Sequence, residues 1–194
     1  FVSDALPSGA DVSQRRRHEL ATSQEPFAII LGCSDSRVPA ELVFDQGLGD
    51  LFVIRVAGNI VAPSQVGRVE FAVERFGTRL LVVLGHTQCG AILATIDELR
   101  RPSDKQSKDL RSIVDRVRPS VEGLLDDGHD PETLVQRAVR ANVRCCLVSF
   151  GFGYATFPAE RLRNIDRVAR DAGELREVLV RLKADTTIYL KGSS

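Results

Sequence analysis

Phe27-Ala28-Ile29-Ile30-Leu31-Gly32 is a short apolar run closed by glycine, and it reads as a buried strand. Leu51 to Val56 is a second such run, and Leu80 to Leu84, closed by Gly85, is a third. Strands that are apolar throughout, rather than alternating, mark a parallel sheet covered on both faces. The segments around them supply the cover. Ser64 to Phe76 sets Val66, Val69, Phe71, Ala72, Val73 and Phe76 at a spacing that fits a helix packed on the sheet. Gly90 to Arg100 reads as another helix, stopped near Pro102. Ile113 to Leu125 and Pro131 to Leu147 read as two more, the last with proline in its first turn. Residues 1–24 are polar and helix-compatible, and residues 102–109 are polar and loop-like. The alternation predicts an α/β fold, a mainly parallel central sheet flanked by helices.

Bulk properties narrow the function. The 194 residues, 43% of them hydrophobic, suffice for one domain with a sizeable core. Twenty-six basic residues balance twenty-six acidic ones, which gives no electrostatic case for nucleic acid or an anionic membrane as partner. No apolar run approaches the length that spans a bilayer. The opening Phe-Val-Ser-Asp-Ala-Leu-Pro has no basic n-region and no apolar h-region, so no signal peptide is predicted. Methionine is absent even from position 1, which points to a missing N-terminus. The four cysteines are Cys33, Cys89, Cys145 and Cys146. Two are adjacent and the chain is not cysteine-dense, so a reducing, cytoplasmic setting with metal-binding or catalytic thiols is expected.

Two segments follow directly on expected strands: Gly32-Cys33-Ser34-Asp35-Ser36-Arg37-Val38-Pro39 and Gly85-His86-Thr87-Gln88-Cys89-Gly90. In open parallel sheets ligands bind beyond the carboxyl ends of the strands. If the two strands are neighbours, Cys33, His86 and Cys89 converge. Two thiolates and an imidazole suit zinc, and three protein ligands leave a fourth position open, the pattern of a catalytic site. Asp35 and Arg37 follow Cys33 at intervals of two, which in extended chain sets all three on one side. A guanidinium there can hold a carboxylate by paired hydrogen bonds and keep it ionised beside the metal. Each element has a plainer reading alone. A cysteine after a strand is usually a small buried hydrophobe, and an Asp-x-Arg pair is usually a surface ion pair. Their coincidence at matching strand ends favours the metal. His18 and His129 sit in polar surroundings and are expected to be solvated. Cys145 and Cys146 point about 100° apart on one helix, with at least one expected in the core.

Cys-Ser-Asp-Ser-Arg-Val at 33–38, Phe-Asp-Gln-Gly at 44–47, Gly-Asp-Leu-Phe-Val at 49–53, Arg-Val-Ala-Gly-Asn at 55–59 and Gly-His-Thr-Gln-Cys-Gly at 85–90 resemble the β-class carbonic anhydrases. The resemblance runs from about residue 12 to about residue 144. It implies zinc on Cys33, His86 and Cys89, with Asp35 and Arg37 as a catalytic dyad. It implies hydration of carbon dioxide to bicarbonate in a homodimer or higher homo-oligomer. Gln24 matches a family glutamine that binds substrate, and Phe52 a family aromatic that lines the pocket. Phe71 falls where many members have tyrosine. Ile30 stands where the bicarbonate-inhibited members carry tryptophan, so no regulatory bicarbonate pocket is expected. Hydrolysis of carbon disulfide or carbonyl sulfide on the same metal is an alternative. A zinc- or bicarbonate-binding domain without turnover is another.

The resemblance fails toward the C-terminus. Residues 1–149 are therefore expected to form the zinc domain, and residues 150–194 a divergent extension, less ordered or docked differently. Leu175, Val178, Leu179 and Leu182 fall at helical spacing, which predicts an amphipathic helix over Gly173 to Lys183. Thr186 to Leu190 is β-prone and could supply a replacement edge strand.

Overall fold

β1 (Ala28–Gly32) is buried along its whole length, as an unbroken apolar run requires. Successive side chains of a strand point to opposite faces, so β1 must be covered on both. Ala28 and Ile30 pack on one face with Leu80, Val82, Leu84, Ala40 and Phe44. Ile29 and Leu31 pack on the other with Leu81, Val83, Val69, Ala72, Val143 and Leu147. The computed structural model describes residues 13–102 and 107–150, and the backbone of residues 156–158, 178–182 and 186–192.

β1 pairs in parallel with β2 (Leu51–Arg55) on one side and with β3 (Leu80–Leu84) on the other. Helix α1 (Gln14–Glu19) precedes β1, and the short α2 (Ala40–Phe44) lies between β1 and β2. Helix α3 (Pro63–Phe76) joins β2 to β3, and Gly77, at φ 66°, closes it in the left-handed conformation that glycine favours. Then follow α4 (Gly90–Arg100), α5 (Lys108–Val121) and α6 (Pro131–Ser149). A third cluster, of Ile92 and Ile96 from α4, Val117 and Val121 from α5, and Leu134, Ala138 and Val139 from α6, encloses Cys33 and Cys89. Three further strands, β4 (Thr156–Pro158), β5 (Val178–Leu182) and β6 (Thr186–Gly192), complete a six-stranded sheet of order β2-β1-β3-β6-β5-β4. β6 runs antiparallel to both β3 and β5, and β4 runs parallel to β5. Among the described residues no helix is long and apolar enough to cross a membrane.

The three apolar runs are the three parallel strands, and the α/β architecture is as expected. Three local expectations are corrected. Val178–Leu182 is strand β5, not part of a helix over Gly173 to Lys183. A run as apolar as Val178-Leu179-Val180 satisfies strand and helix patterns alike, and ladder pairing with β6 selects the strand. Thr186 to Leu190 does join the sheet, but between β3 and β5 rather than at an edge. Helix α5 begins at Lys108, earlier than the apolar spacing from Ile113 signals, because Ser107 caps it by accepting from the Leu110 amide at 3.2 Å. Apart from Phe150 and strands β4, β5 and β6, residues 150–194 lie outside the described residues.

Because Ile29 is buried between strand and helices, Ile29→Ala should cost about 2–5 kcal/mol of stability. Leu110→Ala, at a position 57% exposed, should stay within about 0.5 kcal/mol. Urea unfolding followed by circular dichroism checks both.

Candidate metal centre

Parallel pairing sets Gly32 opposite Leu84, so the chain leaves β1 and β3 at the same end of the sheet. Cys33 comes one residue after β1; His86 and Cys89 come two and five residues after β3. All three are buried, and their ligand atoms lie within 4.8 Å of one another, the two sulfurs 4.0 Å apart. Ligand atoms around one tetrahedral zinc stand about 3.6 Å apart, so the set need contract by only about 1 Å to hold it. Among the described residues, His86 Nε2 is the buried side-chain nitrogen or oxygen without a hydrogen-bond partner. Its other nitrogen, Nδ1, is held by the Thr87 carbonyl at 2.8 Å, which leaves Nε2 as the acceptor aimed inward. An orphaned imidazole nitrogen beside two thiols fits a thiophilic cation.

The sulfurs are unlike each other. Contact with Cys89 is the largest cause lowering the Cys33 thiol; His86 and the amides of Asp35 and Gly58 add to it, and together they outweigh burial. The same contact and burial push Cys89 up, while the amides of Ile92 and Ala91, in the first turn of α4, pull against them. Cys33 is thus the sulfur that ionises first, a thiolate ready for metal. Burial alone would lower the His86 imidazolium, but the neighbouring Cys33 and Asp35 reverse the direction.

Asp35 and Arg37 form the expected pair. Arg37 Nε donates to Asp35 Oδ1 at 2.8 Å and Nη2 to Oδ2 at 2.7 Å, while the Arg37 amide adds a third bond to Oδ1 at 3.0 Å. The guanidinium holds this carboxyl well below the usual carboxylate range. Oδ1 takes two donors and Oδ2 one. The oxygen with capacity to spare is the one 4.0 Å from His86 Nε2.

Arg37 does more than the spacing foretold. Its Nη2 also donates to the Gln88 carbonyl at 3.0 Å, tying the 33–37 loop to the 86–89 loop. Gln88 is held at φ 52°, a left-handed conformation unfavourable for a side chain of its size and of the kind that collects at functional sites. Arg55, at the end of β2, donates to the carbonyls of Cys33 and Asp35, and the Gly58 amide donates to Cys33 Sγ at 3.3 Å. Arg55 and Gly58 lie in the quoted Arg-Val-Ala-Gly-Asn motif, but nothing in their spacing announces these roles.

The other expected residues lie apart from this cluster. Gln24 is exposed and lines a cleft of about 910 Å³ with Arg17, Leu48 and Arg75, a cleft that includes none of the three ligands. Phe52 pairs in register with Ile29, four residues and about 13 Å of strand before Cys33. It packs against Phe71 and Phe76 with ring centroids 6.3 Å and 5.9 Å away, and Phe71 is 53% exposed. Cys146 is in the core, as one of the cysteine pair was expected to be. His18 is exposed; His129 is half-buried and pairs with Asp127 at 3.4 Å rather than standing free in solvent.

Known proteins share the sequence pattern and the fold. The sequence pattern of the carbonic anhydrase family matches residues 28–149. A carbonic anhydrase of Mycolicibacterium smegmatis is 47% identical over 106 residues, 55% of this chain and 51% of that protein. Carbonic anhydrase 2 of Mycobacterium tuberculosis is 45% identical over 118 residues, 59% of this chain and 55% of that protein. The matched region thus spans about half the length of these relatives. Among solved structures, the Coccomyxa β-carbonic anhydrase in complex with acetazolamide shares the fold with a TM-score of 0.62 at 23% identity, over 84% of this chain and 70% of that one. One of two tetrameric β-carbonic anhydrases from Sordaria macrospora does so with a TM-score of 0.61 at 23% identity, over 86% of this chain and 84% of that one. From its matched core, its strand order and its cysteine–histidine cluster together, the chain belongs to the carbonic anhydrase family, with the fold of the β class.

Proposed function

We propose that this chain catalyses the zinc-dependent, reversible hydration of carbon dioxide to bicarbonate and a proton. The observation that carries the reading is the buried Cys33, His86 and Cys89 set with the Asp35 carboxylate at its margin. Bound zinc supplies a Lewis acid that lowers the pKa of water from about 15.7 toward 7, less far with two anionic sulfurs than with three neutral imidazoles. Asp35 then acts as acceptor. Ionised and already holding three donors from Arg37, it has room on Oδ2 to accept a hydrogen bond from an attacking water, which turns the water's lone pair toward the carbon. Arg37 keeps that carboxylate in place and ties it to the loop that bears His86 and Cys89. Val117, Ile92 and Ile60 pack in one apolar cluster with Cys33 and Cys89, surroundings that suit a small, nonpolar substrate.

Gln24, Phe52 and Phe71 enter as contributors from a second copy. Within one chain they lie away from the ligands, and an aromatic group as exposed as Phe71 suits burial against a partner. A homodimer or higher homo-oligomer in which each copy lends these residues to its neighbour's site reconciles their positions with a role in binding substrate.

Protein purified without added metal should carry one zinc per chain by elemental analysis, with sulfur ligands near ~2.3 Å and nitrogen near ~2.0–2.1 Å by X-ray absorption. A well-folded, metal-free chain that hydrates carbon dioxide would reject the reading. Asp35→Asn should keep its zinc yet lose about 10²-fold or more in kcat/KM, the usual cost of a misplaced reacting group. Stopped-flow hydration with metal content measured on the same sample separates that loss from loss of the site.

A further inference from the structure

The turn that follows β2 is built from backbone few residues accept. Gly58 sits at φ 65° and ψ 18°, and Asn59 at φ 44°. A side chain at Gly58 would also meet the Ala91 Cβ at 2.9 Å and the Val117 Cγ2 at 3.3 Å. The turn's own hydrogen bond, from the Asn59 amide to the Val56 carbonyl, leaves the Gly58 amide free to reach Cys33 Sγ.

The far side of the turn is gripped by α6. Asn142 Nδ2 donates to the Gly58 carbonyl at 2.8 Å, and Cys146 Sγ donates to the Asn59 carbonyl at 3.1 Å. Asn142 and Cys146 are four residues apart, so they stand one above the other on a single face of the helix. They take two successive carbonyls. Both are buried, with Asn142 only 2% exposed. A buried side-chain amide is costly unless it is hydrogen-bonded, and the bond that satisfies its Nδ2 is this one to the Gly58 carbonyl. The Ser120 hydroxyl stands 3.5 Å from its Oδ1 but is committed to the Val117 carbonyl at 2.6 Å.

We infer that Asn142 is a positioning residue for the metal centre: by holding the Gly58 carbonyl it aims the Gly58 amide at Cys33 Sγ. The inference rests on the zinc reading above. Gly58 has a peptide unit on each side, and its two dihedral angles relate them. Fixing the carbonyl on one side therefore fixes the N–H on the other. An amide donated to a thiolate draws charge from the sulfur and sets the direction in which the remaining lone pairs point. With two thiolates in the ligand set, that withdrawal is how the chain keeps the metal acidic. Support of this kind around a ligand is typically worth 10–100-fold in metal affinity.

The test uses the full chain loaded with cobalt(II). Asn142→Leu keeps the side-chain volume and removes the donor. It should move the thiolate-to-cobalt absorption to longer wavelength, because a sulfur relieved of its hydrogen bond gives up electrons more easily. It should also weaken zinc binding about 10–100-fold in a chelator competition. Val143→Ala removes volume buried in the cluster with Ile29, Leu31 and Leu147 from the same turn of α6, takes away no hydrogen bond to Gly58, and should leave the spectrum unchanged. If both variants shift the band alike, or if Asn142→Leu lowers only the melting temperature, the inference is overturned. Should Asn142→Leu fail to fold, the unmodified chain loaded with cadmium-113 decides: the Gly58 amide proton must show scalar coupling to the metal through Cys33 Sγ, and no coupling overturns the inference. An unmodified chain that takes up neither cobalt nor zinc rejects the zinc reading and this inference with it. One that binds cobalt normally while Asn142→Leu gives the same spectrum and affinity rejects this inference alone.

Discussion

Parallel pairing of β1 with β3, in the register that sets Gly32 opposite Leu84, is the constraint from which the site follows. Neighbouring strands lie about 4.8 Å apart, so side chains just beyond their ends are within reach of one another without any long-range search. Shift that register by one residue and every side chain of β1 changes face. Ile29 and Leu31 would exchange surroundings with Ala28 and Ile30, and neither packed layer would fit. The core therefore enforces the register, and the register delivers Cys33 to His86 and Cys89.

That matters because the cluster taken alone is unfavourable. Two sulfurs and an imidazole in a buried space, with one nitrogen lacking a partner, store free energy that a cation can release. The surrounding bonds make the arrangement tolerable. Arg55 and Arg37 satisfy the carbonyls of Cys33, Asp35 and Gln88, so these three backbone groups are paired although the ligand loops lack secondary structure. The strained Gln88 backbone lies between two ligands and is secured by one of these guanidiniums. Strain and satisfaction are thus set side by side, as expected where geometry is held for chemistry and not for stability.

The sequence was legible wherever burial had a single cause. β1 and β3 are covered on both faces, so they appear as continuous apolar runs with unambiguous ends. Gly90–Arg100 was readable because a strand-end loop precedes it and a proline follows near its end. The five-residue α2 was not, since it is too short to show a period, and Val178–Leu182 was misread because its apolar residues satisfy two periods at once. At the site the cysteines, the histidine and the Asp35–Arg37 pair could be named from chemistry and spacing. Gly58 and Asn142 could not. One acts through its backbone amide and the other through a helix 84 residues away, and neither interaction leaves a local pattern in the sequence.

The residues expected to touch substrate raise a different point. Gln24 and the Phe52, Phe71 and Phe76 rings sit toward the β2 edge and the N-terminal segment, while the metal ligands face the α4, α5 and α6 layer. One chain thus brings together a cysteine–histidine cluster able to hold a metal and, apart from it, a patch of apolar and polar groups. β2 is a sheet edge with no strand beside it among the described residues, and unpaired edges with exposed aromatic neighbours are poor surfaces to leave in water. The division of labour between two copies proposed above would account for both facts at once. In the proposed oligomer the core would fix Cys33, His86 and Cys89 within each subunit, where register is exact to a residue, and association would bring the substrate contacts.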